Sequence, residues 1–276
     1  MKIRAVLLDM DGTFLGRSQV AISLRNMRAL QRALRKGVTV IPCTGRVLDM
    51  LPPQLLSQEG LRYFITCHGA RAYDTLTETT LYEDLIPSDE AAQILRLLEG
   101  KKLYNEIAAN KTIYFERSAI EPLPLASVPE HHLWYVRDQQ YTAVDSPSDF
   151  FEKHGIGVEK MNLYDIPEPL QVPIYEAVSA TGFIEHTRPG AGPNLEFSHK
   201  GLNKLKAVRA VLEKIGISLE ETMAIGDSSS DLSILRAAGL GVAMGNAPAP
   251  IQKEADWITS LNTQDGVALA FEKYID

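Results

Sequence analysis

The sequence predicts an α/β protein whose Rossmann-like, doubly wound parallel sheet is interrupted by an inserted α+β domain. Short apolar runs alternate with amphipathic helical segments in the first and last thirds of the chain. This alternation is typical of parallel sheets with right-handed crossovers. Between these thirds, the strand-like segments are longer, more polar and interspersed with prolines. We therefore assign residues 1–82 and 197–276 to the core and residues 83–196 to the insertion.

The first third contains three predicted strands and one bounded helix. Ile3–Leu8 is a continuous apolar run, as expected for a strand that is buried on both faces. Ser23 can cap a helix that Gly37 ends. Val38–Pro42 and Tyr63–Cys67 are the next two short apolar runs.

The last third repeats this alternation, and the insertion differs from it. The predicted helices of the last third are Lys200–Lys214, Asp231–Ala238 and Val267–Ile275. Its predicted strands are Thr222–Ile225, Gly241–Met244 and Asp256–Thr259. The strands expected in the insertion are Leu103–Ala108, Thr112–Glu116, Val158–Leu163 and Ile174–Ser179, with helices that start near Ser88 and Ser146.

The composition argues against several classes of function. A formal net charge of −7 disfavours a nucleic acid partner, because binding to phosphate backbones needs basic surfaces. Cys43 and Cys67 are too few and too far apart for a disulfide framework. No apolar run reaches the ~18 residues of a membrane span, and the N-terminus lacks the apolar region of a signal peptide. We therefore expect a cytoplasmic protein without nucleic acid or membrane partners.

Two acidic residues directly follow the first predicted strand. Asp9 and Asp11 are separated by one residue and followed by Gly12. In open α/β sheets, ligands bind at the carboxyl ends of the strands, so these carboxylates occupy a position where a site is expected. A turn that merely caps the next element would explain a lone motif of this kind better. Three further segments favour the functional interpretation.

These segments follow later strands or open a helix of the predicted core. They are Thr44-Gly45-Arg46, Lys200-Gly201 and Gly226-Asp227-Ser228-Ser229-Ser230-Asp231. Together with Asp9 and Asp11, they resemble the four ordered motifs of phosphatases in the haloacid dehalogenase superfamily. The stretches Gly-Val-Ala-Met-Gly-Asn-Ala at 241–247 and Asp-Gly-Val at 265–267 are similar to its Cof-type branch. The resemblance implies that the insertion is a large cap of the C2 type, which acts as a lid over the substrate.

The chemistry of phosphate ester cleavage explains why carboxylates recur in these motifs. A phosphate monoester is a dianion, so an attacking carboxylate must overcome repulsion. A divalent cation that bridges both groups removes this repulsion, and Mg²⁺ suits a site built from oxygen atoms. Asp9 and Asp227 can each supply a carboxylate from neighbouring strand ends. The resemblance adds the backbone carbonyl of Asp11 and implies Mg²⁺ as the cofactor.

The resemblance also implies a role for each motif residue. Asp9 would be the nucleophile that forms an aspartyl-phosphate, and Asp11 would be the general acid and base. The residues implied in phosphate binding are Gly12, Thr44, Gly45, Lys200 and Ser230. Asp231 would orient Lys200 or a metal-bound water, although it could also simply cap the following helix.

Two residues depart from the family pattern. Ser230 stands where the family commonly has asparagine, and a serine hydroxyl is shorter than an amide and offers one donor. His68 stands where asparagine is also common, and it either meets the substrate or finishes the third strand. Further candidate substrate contacts are Arg46, Glu185, His186 and Arg188, of which the last three could equally be solvated loop residues.

The sequence therefore predicts a Mg²⁺-dependent enzyme that hydrolyses a small phosphate monoester, such as a sugar phosphate or a phosphorylated cofactor. An acid two residues after the nucleophile favours phosphate esters over haloacids, because a halide leaves without a proton. Two alternatives stay open. One is a phosphomutase or phosphotransferase that uses the same core residues, and the other is a non-catalytic regulator that binds a phosphorylated metabolite.

Overall fold

The computed structural model describes residues 2–16, 20–128, 132–187 and 194–276. Its internal contacts divide the chain into two compact units. The core unit comprises Met1–Arg46, Leu51–Glu83 and Asn203–Asp276, and the inserted unit comprises Val47–Met50 and Asp84–Leu202. The main insertion thus ends at residue 202 rather than at the predicted 196, because the strand Leu195–His199 pairs within the inserted unit.

The elements are named in chain order. The strands are β1 (Ala5–Leu8), β2 (Thr39–Pro42), β3 (Tyr63–Thr66), β4 (Arg71–Asp74), β5 (Thr79–Glu83), β6 (Tyr104–Ala109), β7 (Thr112–Glu116), β8 (Thr142–Val144), β9 (Lys160–Tyr164), β10 (Ile184–Thr187), β11 (Leu195–His199), β12 (Thr222–Gly226), β13 (Leu240–Ala243) and β14 (Trp257–Ile258). The helices are α1 (Leu24–Arg35), α2 (Pro53–Leu56), α3 (Ser88–Leu98), α4 (Arg117–Ile120), α5 (Leu133–Arg137), α6 (Pro147–His154), α7 (Glu168–Ser179), α8 (Lys204–Ile215), α9 (Leu232–Ala237), α10 (Ala249–Gln252) and α11 (Gly266–Tyr274). None of the described helices combines the length and the apolar character that crossing a membrane requires.

The core unit contains a five-stranded parallel sheet with the order β14-β13-β12-β1-β2. In this sheet β1 lies between β12 and β2, with Ala5 opposite both Thr222 and Thr39. All residues of β1 are buried, as its continuous apolar run predicted. Because these strands run in the same direction, the segments that follow β1, β2 and β12 meet at one edge of the sheet. The architecture confirms the predicted fold class.

Side-chain caps determine where two long helices of the core unit begin. The hydroxyl of Ser23 accepts a hydrogen bond from the first turn of α1 at 3.1 Å, which confirms the predicted start of that helix. The side chain of Asn203 accepts a bond from the first turn of α8 at 2.9 Å. The predicted start of α8 at Lys200 is therefore wrong, and Lys204 is its first residue.

The third predicted strand forms a separate antiparallel sheet with its successors. β3 touches the segment after β2 through the bridge between Cys43 and Ile65, but it pairs antiparallel with β4, and β4 pairs antiparallel with β5. A short apolar run is compatible with either pairing, so the sequence did not distinguish them. Between β3 and β4, the residues Cys67, His68 and Gly69 all have a positive φ.

The inserted unit contains a six-stranded sheet with the order β10-β11-β9-β6-β7-β8. Alternate side chains of this sheet, among them Ile107, Met161 and Phe197, are buried in a hydrophobic cluster with residues of α3, α6 and α7. Their neighbours Glu106 and Asn162 face the other way and lie opposite each other in β6 and β9. The inserted unit therefore has a hydrophobic core of its own.

One predicted strand of the insertion is wrong. The segment Ile174–Ser179 belongs to α7. Its buried residues, Ile174 and Val178, are four positions apart, which is the spacing of one face of a helix. The run is too short for its pattern to separate a strand from a helix.

Candidate active site

The loop after β1 carries a carboxylate to the edge of the parallel sheet. Asp9 follows β1, and its backbone N–H donates to the carbonyl of Ile225 in β12 at 3.0 Å. Asp9 is 6% exposed. Gly12 turns the chain with a φ of +77°, which glycine adopts without strain. A Cβ atom at Gly12 would lie 2.2 Å from Oδ2 of Asp227, so the close approach of these two loops requires glycine.

Asp227 follows β12, and side chains from two neighbouring loops hold its carboxylate. The hydroxyl of Thr13 donates to Oδ1 at 3.2 Å. The amide of Asn246 donates to Oδ2 at 3.2 Å and to the carbonyl of Gly12 at 2.8 Å. The side-chain oxygen of Asn246 accepts from the backbone N–H of Asn262 at 2.9 Å, which fixes the orientation of the amide. These contacts join the loops that follow β1, β12 and β13.

Asn246 has no role among the sequence-based expectations. It lies in the Gly-Val-Ala-Met-Gly-Asn-Ala stretch, which indicated only the branch of the family. A signal was present nevertheless, because Asn246 follows a short apolar strand as Asp9 and Asp227 do. A polar residue after a strand of a parallel sheet lies at the edge where ligands bind.

A buried lysine lies between the carboxylates, and it is Lys204. Its Nζ lies 2.6 Å from Oδ1 of Asp231, 3.1 Å from the carbonyl oxygen of Cys43 and 3.5 Å from Oδ1 of Asp9. Lys204 is 2% exposed. The expectation that Lys200 occupies this position is thereby corrected. Because α8 begins four residues later than predicted, Lys200 lies in the turn before the helix and belongs to the inserted unit.

Asp231 is fully buried, and both of its carboxylate oxygens accept hydrogen bonds. Oδ1 accepts from Lys204, and Oδ2 accepts from the backbone N–H groups of Asp227 at 3.2 Å and Ser228 at 3.1 Å. The Ser228 hydroxyl also donates to Oδ2 at 3.1 Å. The side chain of Asp231 makes no capping bond to α9. Asp231 therefore orients Lys204 and the loop that carries Asp227.

Asp9, Asp227 and Asp231 form a compact acidic cluster, in which one carboxylate oxygen of each residue lies within 4.8 Å of the others. Burial raises the pKa of Asp9 well above its usual value, and the charge of Asp231 adds to this effect. Burial and Asp231 also raise the pKa of Asp227, to about 6. Burial lowers the pKa of Lys204, but the charges of Asp231 and Asp9 outweigh it, so that this pKa is raised overall. One ammonium group does not balance three carboxylates, and a further cation would stabilise their ionised forms.

The donor set of this cluster fits Mg²⁺. Magnesium prefers oxygen ligands and is usually held by one or two carboxylates while it retains water molecules. Because the oxygens of Asp231 already accept bonds from Lys204 and the backbone, Asp9 and Asp227 are the carboxylates suited to a metal ion.

The Thr44-Gly45-Arg46 segment follows β2 at the same edge of the sheet. Thr44 is fully buried, and its hydroxyl oxygen accepts from the backbone N–H of Arg46 at 3.1 Å. The same hydroxyl can donate its hydrogen to a phosphate oxygen. The guanidinium of Arg46 contacts Asp11, with Nε donating to Oδ2 at 2.8 Å and Nη2 donating to Oδ1 at 2.5 Å.

His68 packs against this segment. A Cβ atom at Gly45 would lie 2.5 Å from the His68 ring, so the glycine makes room for the imidazole. The backbone N–H of His68 donates to the carbonyl of Thr44 at 2.9 Å. His68 therefore lies beside the segment expected to bind phosphate.

A sequence profile described as haloacid dehalogenase-like hydrolase matches residues 6–271, which is nearly the whole chain. The chain belongs to the haloacid dehalogenase-like hydrolase family. This membership confirms the resemblance that the four motifs indicated. It also accounts for a parallel sheet interrupted by a separately packed insertion, because solved structures of the family show the same architecture.

Several known members of the haloacid dehalogenase-like family are similar over their full length. The 5-amino-6-(5-phospho-D-ribitylamino)uracil phosphatase YcsE of Bacillus subtilis strain 168 is 29% identical, with 99% of this chain and 96% of that protein covered. The phosphatase YwpJ of the same strain is 31% identical, with 96% and 98% covered. A haloacid dehalogenase-like hydrolase from Bacteroides thetaiotaomicron superimposes with a TM-score of 0.80 at 26% identity, with 99% of each chain covered. The chain is therefore an enzyme, a phosphatase of this family.

Four predicted site residues lie outside the contacts described so far. Ser230 is partly buried, and its hydroxyl oxygen lies 2.8 Å from that of Ser228. Glu185 is exposed on β10. The side chain of His186 and the whole of Arg188 lie outside the described residues.

The thiol of Cys43 lies near the site but lacks the properties of a nucleophile. Burial raises its pKa to about 12, although the charge of Lys204 acts in the opposite direction. Its Sγ donates to the carbonyl of Ile41 at 3.3 Å. Because the thiolate is the reactive form, a thiol with so high a pKa is inert at neutral pH.

Proposed function

We propose that this family member is a Mg²⁺-dependent phosphatase that hydrolyses a small phosphate monoester through an aspartyl-phosphate on Asp9. The observation that carries this proposal is the position of Asp9. Its carboxylate lies within reach of Asp227 on one side and of the Lys204 ammonium at 3.5 Å on the other. A carboxylate between a metal ligand and a fixed cation is suited to approach a phosphate dianion.

Asp9 and Asp227 would hold the metal ion, together with the backbone carbonyl of Asp11. The ion would supply Lewis acidity and reduce the repulsion between the nucleophile and the phosphoryl group. Asn246 and Thr13 would keep Asp227 in place, because both donate hydrogen bonds to its carboxylate. Loss of such supporting bonds commonly lowers metal affinity or activity by about 10–100-fold.

In the first half of the reaction, a carboxylate oxygen of Asp9 attacks phosphorus and the bond from phosphorus to the ester oxygen breaks. Asp11 gives its proton to the departing alkoxide, which leaves as an alcohol. Thr44 and the Gly45 N–H would donate to the phosphoryl oxygens. Lys204 would balance the charge that develops on them, at the position where it already contacts Asp9.

In the second half, Asp11 removes a proton from a water molecule, whose oxygen attacks phosphorus. The bond between phosphorus and Asp9 breaks, which releases inorganic phosphate and restores both carboxyl groups to their initial states. One residue therefore acts first as an acid and then as a base, while another carries the phosphoryl group.

The substrate class we propose is a small phosphorylated metabolite, such as a sugar phosphate, a polyol phosphate or a phosphorylated cofactor. The relative YcsE is named for a substrate that carries a phosphorylated ribityl chain. Its similarity extends over 99% of this chain, so the inserted unit is included in the likeness. A small substrate also suits the lid role that the family resemblance implies for the insertion.

Release of phosphate from a panel of phosphorylated metabolites tests this proposal. We expect activity with Mg²⁺, its loss on chelation, and background rates for Asp9→Asn with every substrate. Formation of an isomeric phosphate ester without free phosphate would instead indicate a mutase or phosphotransferase. Tight binding of a phosphorylated metabolite without any turnover would indicate a regulator and would refute the proposed catalysis.

A further inference from the structure

Arg46 forms an ion pair with Asp11, the carboxylate that acts as acid and base in the proposed reaction. Both oxygens of Asp11 accept hydrogen bonds from the guanidinium of Arg46, at 2.8 Å and 2.5 Å. We infer that Arg46 is a positioning residue, which holds the carboxylate of Asp11 in the orientation needed for proton transfer. This inference rests on the proposed function, and it replaces direct substrate binding as the role of Arg46.

Hydrogen bonds to its backbone fix the position of Arg46. Its backbone N–H donates to the hydroxyl of Thr44 at 3.1 Å, and its carbonyl accepts from the N–H of Cys67 at 3.0 Å. Its side chain is 9% exposed, whereas that of Asp11 is 38% exposed. A guanidinium presents its N–H groups in a rigid planar fork, so two parallel bonds fix the plane of a carboxylate as well as its distance.

The two bonds from Arg46 also keep the Asp11 carboxylate, proposed for proton transfer, apart from the carboxylates proposed for metal binding. Asp11 lies two residues from Asp9, yet the acidic cluster found among the described residues consists of Asp9, Asp227 and Asp231. With both oxygens on Arg46, the Asp11 carboxylate contributes no oxygen to this cluster. Its side chain is thereby reserved for proton transfer, while its backbone stays beside the proposed metal site.

Loss of the fork should therefore impair proton transfer more than it impairs phosphate binding. General acid catalysis is worth about 10²–10⁴ in rate, and it matters most when the leaving group is strongly basic. An alkyl phosphate releases a strongly basic alkoxide, which needs a proton. p-Nitrophenyl phosphate releases a weakly basic phenolate, which does not. An arginine that bound the phosphoryl group directly would affect both substrates alike.

The test compares kcat/KM for p-nitrophenyl phosphate with kcat/KM for the best alkyl phosphate of the panel, in Arg46→Gln and Arg46→Lys. This quantity reports the steps up to the departure of the alcohol and excludes the later attack of water, which both substrates share. We expect both variants to lose at least about tenfold more activity toward the alkyl phosphate. Lysine should not restore the wild-type ratio, because it has no fork. Asp11→Asn should show the same selectivity, and Arg46→Gln added to Asp11→Asn should change the ratio little further, since the two residues act as one unit.

Arg62→Gln is the matched control. Arg62 forms the same kind of fork with Asp74, at the end of β3 that lies away from Thr44. We expect that variant to keep the wild-type ratio of the two activities. Thermal unfolding of each variant identifies a loss of folding, and the conservative Arg46→Lys serves if Arg46→Gln does not fold.

The outcomes separate this inference from the proposed function. Equal losses of kcat/KM toward both substrates, or losses that add independently to those of Asp11→Asn, would overturn the role of Arg46 while leaving the phosphatase intact. A wild-type protein that released phosphate from neither substrate would refute the proposed function itself.

Discussion

At the scale of single residues, the charge balance of the acidic cluster depends on Lys204. Its ammonium contacts Asp9 and Asp231, and each of these three residues is more than nine-tenths buried. Removing one partner from a buried group of charges leaves the others uncompensated. That change costs about 3–5 kcal/mol in typical proteins.

We predict that Lys204→Met lowers the free energy of unfolding by about 3–5 kcal/mol and abolishes phosphate release. Lys200→Met is the matched control, because it removes the same charge four residues earlier in the chain, in the inserted unit. That variant should retain activity within a few-fold of the wild type. Urea unfolding and steady-state kinetics measure both effects. An inactive Lys200→Met beside an active Lys204→Met would show that the assignment of the lysine is wrong.

Gly12 and Gly37 offer a second matched pair of single-residue changes. Both have a φ close to +80°, but a Cβ atom at Gly12 would meet Asp227, whereas a Cβ atom at Gly37 would meet nothing within 4 Å. We predict that Gly37→Ala costs only the strain of a left-handed alanine, about 1–2 kcal/mol of stability, and leaves kcat unchanged.

Gly12→Ala should incur the same strain and also displace Asp227, lowering activity by about a hundredfold. Thermal unfolding and kinetics of the two variants separate the two effects. Similar activity in both would contradict the close packing of the loops after β1 and β12.

Asn246 tests the support of the proposed metal site. Its amide joins Asp227 to the carbonyl of Gly12, so its removal should loosen one metal ligand without removing any. We predict that Asn246→Ala weakens the apparent affinity for Mg²⁺ by about 10–100-fold. Titration of activity with Mg²⁺ measures this, and kcat should recover at saturating metal. An unchanged affinity would show that the contact has no role in metal binding.

At the scale of elements, the hairpin of β3 and β4 is fastened by an ion pair between Arg62 and Asp74. Nε of Arg62 donates to Asp74 at 2.6 Å, and the backbone N–H of Leu76 donates to the same carboxylate at 3.1 Å. The bond from Arg62 is the main cause that holds the pKa of Asp74 well below its usual value. A carboxyl group whose pKa is lower in the folded state contributes its full stabilisation at pH values above its unfolded pKa of ~4.

We predict that wild type is more stable than Asp74→Asn at neutral pH, and that this difference shrinks as the pH falls below ~4. The sign follows because the pKa is lower in the folded state, so that protonation at low pH removes the stabilising charge. Urea unfolding of both proteins across this pH range provides the measurement. A difference that stayed constant down to low pH would show that the pair does not stabilise the hairpin.

The elements also show which parts of the site the sequence could predict. The ends of β1, β2 and β12 follow from short apolar runs that stop at polar residues, and these runs located Asp9, Thr44 and Asp227. The start of α8 could not be derived in this way. A cap contributes only about 1 kcal/mol, so the sequence alone does not show that the helix starts after Asn203 rather than at the predicted Lys200. The buried contacts of Lys204 with the acidic cluster favour the later start.

Contacts between distant segments could not be predicted from the sequence, for a different reason. The Asn246 amide contacts Gly12, and the Arg46 guanidinium contacts Asp11, only because the parallel sheet brings their loops to the same edge. No local pattern encodes such a partner. The prediction of a strand at Ile174–Ser179 was wrong for a local reason, since its few apolar residues fit a strand and a helix equally well.

At the scale of the whole molecule, the chain builds its site from segments that are far apart in sequence. Asp9, Thr44, Lys204 and Asp227 all belong to the core unit, although the inserted unit separates the first two from the last two. Each unit has its own hydrophobic cluster of buried residues. The residues that carry the proposed phosphoryl transfer therefore all belong to the core unit.

The crystal structure of the protein with Mg²⁺ and beryllofluoride would show whether Asp9 is the nucleophile and which residues hold the metal ion. Beryllofluoride mimics a phosphoryl group and bonds to the carboxylate that acts as nucleophile. We predict a bond from beryllium to Asp9, a Mg²⁺ ion held by Asp9, Asp227 and the carbonyl of Asp11, and Lys204 in contact with the fluorides. Beryllofluoride bonded to a different residue, or Mg²⁺ bound without Asp9 and Asp227, would contradict the proposed mechanism.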